Sequence, residues 1–175
     1  MKDGMETQLI QPGDAGALRA LRIRALMEYP SAFGASVEEE TTRSVEDLAR
    51  QLREGPPYSS WRGAYDHTTL IGILHLFRPQ RPKVRHRTML GGMYVVPEYQ
   101  RRGVGRALLE DTISFAKTLE GVATITLAVT VGNEAARKLY RSAGFMPFGI
   151  EPGYICVEKT YYDIEWMILH LGKRE

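Results

Sequence analysis

The sequence predicts a mixed α/β fold, with a central sheet of about six to seven strands and helices on both faces. Three observations carry this expectation. Short runs rich in β-branched and aromatic residues alternate with segments whose apolar residues recur at helical spacing. The second half reads strand, helix, strand, helix, which calls for a right-handed crossover and parallel pairing, whereas the first half reads as helices followed by antiparallel hairpins. The length, 175 residues with 43% hydrophobic and 25% charged side chains, suits one globular domain spanning 1–175.

The elements follow in order. Residues 6–11 form a strand candidate that Pro12-Gly13 ends, and Asp14 is placed to cap a helix. Leu18, Leu21, Ala25 and Leu26 give that helix its apolar stripe. Tyr29-Pro30 closes it, because the residue before proline is pushed out of the α region. Residues 30–43 show no period and read as a loop. Ser44 and Asp47 open a second helix with Val45, Leu48, Ala49 and Leu52 on one side. Strands are expected at 60–66 and 69–77 around a turn at Asp66-His67-Thr68, and another from Met89 to Val96. Between them the basic segment 78–87 reads as an exposed, solvated loop. Val104–Leu119 is a strong amphipathic helix. A strand at 122–129 leads to a helix that Asn133 caps and Gly144 ends. The last two strands, 145–150 and 160–170, are expected to join through Glu151-Pro152-Gly153.

Composition excludes several classes. The net charge of +2 is small for a dedicated nucleic-acid binder, so no nucleic-acid partner is expected. A single cysteine, Cys156, permits no intramolecular disulfide and no thiolate zinc site. It reads as a small buried hydrophobe rather than a nucleophile. His67, His75, His86 and His170 show no metal-ligand spacing, so no metal is expected. No apolar run is long enough to span a bilayer, and Met1–Glu6 has no signal-peptide core. The expectation is a cytoplasmic protein without a membrane partner.

The stretch that carries chemistry is Gln100-Arg101-Arg102-Gly103-Val104-Gly105-Arg106-Ala107-Leu108, between a strand and the amphipathic helix. A first helical turn leaves about four backbone N–H groups unpaired, and the helix dipole adds positive potential there. Glycines admit a phosphate close to the backbone, and arginines add charge and paired donors. The segment therefore reads as a phosphate-binding helix N-terminus. It is not a Walker A loop, which needs Gly-Lys-Ser/Thr. It also lacks the third glycine of the dinucleotide fingerprint, where Leu108 stands.

With Gln100, Gly103 and Gly105 in this loop, and with Asn133 opening a helix that ends Leu139-Tyr140 before Gly144-Phe145, the sequence resembles the GCN5-related N-acetyltransferase superfamily. The resemblance implies a splayed pair of parallel strands near Met93–Val96 and Val122–Val129, with acetyl-CoA between them. It also implies that acetyl-CoA is the acetyl donor and an amine the acceptor. Backbone groups of Tyr94, Val95 and Val96 would meet the pantetheine arm. Amides of Arg101, Arg102, Gly103, Val104, Gly105 and Arg106 would hold the pyrophosphate. Asn133 would reach the pantetheine, and Tyr140 would protonate the departing thiolate. The bland roles are a helix cap for Asn133 and core packing for Tyr140. Arg137 and Lys138 read as a solvated helix face, with contact to the nucleotide end of CoA as the other reading. Gly91-Gly92 inside a strand suggests either a bulge where the cofactor approaches or weak strand pairing alone.

Relatives draw acceptor contacts from the loop after the first helix and from the last strands. The candidates here are Phe33, Glu38, Tyr154, Tyr161 and Tyr162. The strand before the phosphate loop offers no carboxylate for a general base. Water, His75, Glu28 and the loop Phe33–Glu40 stay open for that role. The missing base keeps a non-catalytic acyl-CoA-binding module as the alternative. A homodimer is compatible with the resemblance, and the acceptor itself is not legible.

Overall fold

The computed structural model describes residues 4–172; Met1–Asp3, part of the N-terminal reading, lie outside them. Seven strands form one sheet: β1 (Met5–Leu9), β2 (Ser59–Asp66), β3 (Thr69–Phe77), β4 (Arg87–Val95), β5 (Thr124–Thr130), β6 (Met146–Val157) and β7 (Thr160–His170). Their spatial order is β1-β2-β3-β4-β5-β7-β6. Among the described residues only β4 and β5 run parallel. The helices are α1 (Ala15–Glu28), α2 (Val37–Thr42), α3 (Val45–Glu54), α4 (Val104–Thr118) and α5 (Glu134–Ser142).

Strand periodicity shows how the helices divide between the faces. Successive side chains of a strand point to opposite sides. Trp61 lies under the Arg22 guanidinium of α1, 4.9 Å from its ring centroid. Its neighbour Arg62 pairs with Asp111 of α4 at 2.6 and 2.7 Å. The faces of α1 and α4 are therefore opposite. Tyr140 of α5 reaches Met93 of β4, and Met93 also flanks Gly105 at the start of α4, so α5 shares the α4 face. Leu18, Leu74, Leu108 and Leu109 are fully buried in a cluster that runs from Ile10 to Met167.

Several expectations need correction. Residues 37–42 are a helix, not loop: Ser36 accepts from the Glu39 amide, and Glu39 returns a bond to the Ser36 amide. That reciprocal cap starts a helix too short to show a period. The Glu151-Pro152-Gly153 segment is not a hairpin turn. It lies within β6, where the register shifts between Glu151 and Ile155, and the chain reverses at Glu158-Lys159 instead. Asp14 precedes α1 without capping it, because its carboxylate accepts from the Tyr65 hydroxyl at 2.9 Å. Arg78 is buried and donates to the carbonyls of Arg85 and Glu120, whereas 81–87 are exposed as expected. Cys156 is exposed, since β6 is an edge strand. Among the described residues, no helix is long and apolar enough to cross a membrane.

Candidate active site

β4 and β5 begin as partners and then part. Their register runs from Arg87 opposite Thr124 to Leu90 opposite Leu127 and stops there. Beyond that row β4 stays bonded to β3, and β5 to β7. The cause lies at the two glycines. Between Tyr94, opposite Ile73, and Gly91, opposite His75, one extra residue sits on β4. This bulge bends the strand away from β5. Gly92 has φ +62°, and a Cβ there would lie 3.0 Å from the Trp61 ring and 3.3 Å from Arg22 Nη1. Only glycine fits both the conformation and the space.

The parted strands open a cleft of about 380 Å³. Leu90, Met93, Val95 and Val129 give it apolar walls, and Ala136, Leu139 and Tyr140 of α5 close one side. At its mouth Gln100 fixes the loop by donating from Nε2 to the Val95 carbonyl at 3.0 Å. The loop then curls through Arg101 at φ +59° and Gly103 at φ +84° into α4. Alternating backbone hands of this kind turn successive N–H groups inward, as in anion nests. No acceptor among the described residues takes the amides of Arg101 to Arg106, while Ala107 bonds the Gly103 carbonyl. The donors of a helix N-terminus are thus available beside the cleft. Gly105 sets the close approach of helix and strand, since a Cβ there would lie 3.2 Å from Met93 Cε.

Tyr140 is buried at the cleft wall. Among the described residues its hydroxyl donates only to Met93 Sδ at 3.5 Å, a weak acceptor. Burial pushes its pKa up to about 12. Asn133 lines the cleft and caps α5, its side chain accepting from the Ala136 amide at 3.2 Å.

The cleft brings together Tyr94, Val95, Arg101, Gly105, Asn133, Tyr140 and Phe33 from the sequence-predicted set. Val96 needs correction. Its amide donates to Ile71 and its carbonyl accepts from Tyr99, so neither is free for a ligand. Val104 is a core residue, and only its amide faces this role. Arg106 pairs with Glu110, and Arg102 lies over the Tyr99 ring at 5.2 Å. Glu38, Tyr154, Tyr161 and Tyr162 do not line the cleft. Arg137 is no solvated charge: it holds Glu165 through two bonds at 3.0 and 2.9 Å, anchoring α5 on β7. Two proposed bases also stand apart. His75 stacks on Trp61 and meets Ser59 Oγ at 2.8 Å. Glu28 accepts from Arg24 and from the Tyr94 hydroxyl, which hold its carboxyl below the usual range. Tyr29, Ala128 and Thr130 line the cleft without a sequence signal, because their placement depends on where the strands part.

The model of the acetyltransferase (GNAT) family matches residues 23–145. The chain belongs to this family. Similar GNAT-fold structures include a GNAT acetyltransferase from Streptococcus pneumoniae, at TM-score 0.87 and 23% identity over 95% of this chain and 99% of that one. Another is a putative acetyltransferase from Salmonella typhimurium with its cofactor acetyl-CoA, at TM-score 0.84 and 19% identity over 98% and 96% of the two chains. Among curated relatives, N-alpha-acetyltransferase RimI of Mycobacterium tuberculosis is 37% identical over 99 residues, 56% of this chain and 59% of the relative. The chain thus matches little more than half the length of that relative.

Proposed function

We propose that the protein is an acetyl-CoA-dependent N-acetyltransferase that transfers the acetyl group directly to a primary amine. The observation that supports this most is the junction of the parted strands with six unpaired amides at the N-terminus of α4. The residues fit acetyl-CoA. The amides of Arg101–Arg106 suit its pyrophosphate, with Arg101 adding charge at the cleft. The freed edges of β4 and β5 offer backbone groups to the pantetheine amides, and Leu90, Met93, Val129 and Leu139 suit its apolar parts. When bound, acetyl-CoA supplies an activated thioester carbonyl.

The chain's own groups then have distinct tasks. Backbone N–H groups on the open edge of β4 donate to the carbonyl oxygen as negative charge gathers there. Tyr140 holds a proton at its hydroxyl and passes it to the sulfur as the C–S bond breaks. Solvent restores that proton. Among the described residues the cleft lining contains no Asp, Glu or His, so the amine gives up its proton to water. The acceptor is a primary amine; the similarity to RimI, an N-alpha-acetyltransferase by name, makes a protein or peptide α-amine one member of the set to test.

The same bare lining favours a second reading, a non-catalytic acyl-CoA sensor. Release of free CoA from acetyl-CoA, followed with a thiol reagent across a panel of amines, separates the two. Amine-dependent release is expected. Tight acetyl-CoA binding with no release for any amine would establish the sensor instead.

A further inference from the structure

The face of the sheet beyond the cleft carries a group that the transfer reading does not use. Ala128 and Thr130 of β5 line the cleft. Ala128 lies opposite Trp166 of β7, and Thr130 opposite Ile164, which in turn lies opposite Glu151 of β6. Residues directly opposite on antiparallel strands share a face. Glu151 and Trp166 therefore lie on the same face as the cleft's β5 residues. The side chains agree, since Trp166 Nε1 donates to Glu151 Oε2 at 2.9 Å. The Tyr154 ring meets Trp166 edge to face, at 6.2 Å and 79°, and is 52% exposed. Tyr154 lies where the register of β6 shifts, between Glu151 and Ile155. The turn Pro30–Ala32, whose Ala32 lines the cleft, packs on both β5 and β6 and borders the same strip.

This corner has the chemistry of a cation site. One oxygen of Glu151 is fixed by the indole, and the other has no partner among the described residues. Two aromatic rings stand beside it, and ring faces attract ammonium and guanidinium groups. The cleft itself presents no anionic side chain.

We propose that Glu151, Trp166 and Tyr154 form a subsite for a second positive charge on the acceptor. It lies two strand spacings, about 10 Å, from the open edge of β5. The inference rests on the acetyl-transfer reading and names its substrate class: amines carrying an ammonium or guanidinium group about 10 Å from the nitrogen that is acetylated.

The test compares 1,7-diaminoheptane with heptylamine, which share a chain and differ in the distal charge. The wild-type protein is expected to favour the diamine by about tenfold in kcat/KM, the scale of a single cation contact. Glu151→Gln should bring that ratio near one, and Trp166→Phe, which removes the indole donor, should lower it. A ratio unchanged in Glu151→Gln, or a wild type that favours heptylamine, would overturn the subsite. Calorimetric binding of 1,7-diaminoheptane in the presence of CoA provides a readout independent of turnover. Diamine binding that weakens in Glu151→Gln without CoA release would uphold the subsite and sink the transfer reading. CoA release with diamine binding indifferent to Glu151 would do the reverse.

Discussion

Burial pushes the Tyr140 pKa up to about 12, so its hydroxyl keeps its proton through neutral and alkaline pH. A proton donor is needed in that state, and the weak bond to Met93 Sδ leaves the hydroxyl free for a better partner. Tyr140→Phe should lower kcat by about 10²–10⁴, the usual share of one general acid, with acetyl-CoA affinity nearly unchanged. An unaltered kcat in steady-state assays would remove Tyr140 from the chemistry. Gly103 makes a different demand. Nothing lies within 4 Å of a Cβ placed there, but its φ is +84°. Gly103→Ala should therefore keep the fold and weaken acetyl-CoA binding by about tenfold, since a left-handed alanine costs about 1–2 kcal/mol. Calorimetric titration reads this directly. His75 gives a pH signature. Burial, then the charges of Arg22 and Arg43, push its pKa down to about 4. The unfolded imidazole takes a proton near pH 6.5 and the folded one only near 4. Its stabilising contribution is complete above pH 6.5 and is lost as pH falls toward 4. Thermal melts of the wild type should show Tm falling over that window, and His75→Gln should flatten the slope. At this scale the place of Asn133 and Tyr140 at the cleft was legible because a motif carries them. Val96 was not, because its backbone partner, Ile71, is far away in sequence.

Elements were legible where period and punctuation agreed. α4 carries a continuous apolar stripe and a glycine start, and β2 and β3 end where their turn residues fall. α2 escaped because six residues complete less than two turns. Its evidence was the Ser36-to-Glu39 spacing, together with Glu40, which is buried and bonds Arg22 of α1 at 2.6 Å. The long β6 escaped because Pro152 and Gly153 normally mark turns, whereas here they occupy a bulge on an edge strand, where a missing ladder donor is tolerated. Packing between elements has its own test. Arg62 of β2 and Asp111 of α4 are 13% and 22% exposed and doubly bonded, so each needs the other. Asp111→Ala strands the arginine and should cost about 3 kcal/mol in urea unfolding. The matched replacement of both residues by apolar ones should recover part of that loss.

At the level of the whole molecule, one irregularity organises the rest. Seven strands would make a continuous sheet if β4 ran straight. The bulge at Gly92-Met93 divides it into a β1–β4 part and a β5–β7–β6 part, joined only at the row from Arg87 to Leu90. The cleft, the glycine-containing loop after β4 and the Asn133 cap after β5 all lie at that opening. The order of elements and the two motifs were readable in advance. The opening itself was not, since Trp61 and Arg22, which crowd Gly92 at the bulge, are far from it in sequence. The central claim is that acetyl-CoA lies in this opening with its pyrophosphate on the amides of Arg101–Arg106. Amide hydrogen exchange with and without acetyl-CoA measures it most directly. Protection should rise at Arg101–Arg106 and along Gly91–Val95, with little change on β1 and β2. Acetyl-CoA binding that leaves those amides exchanging at their free rates would contradict it.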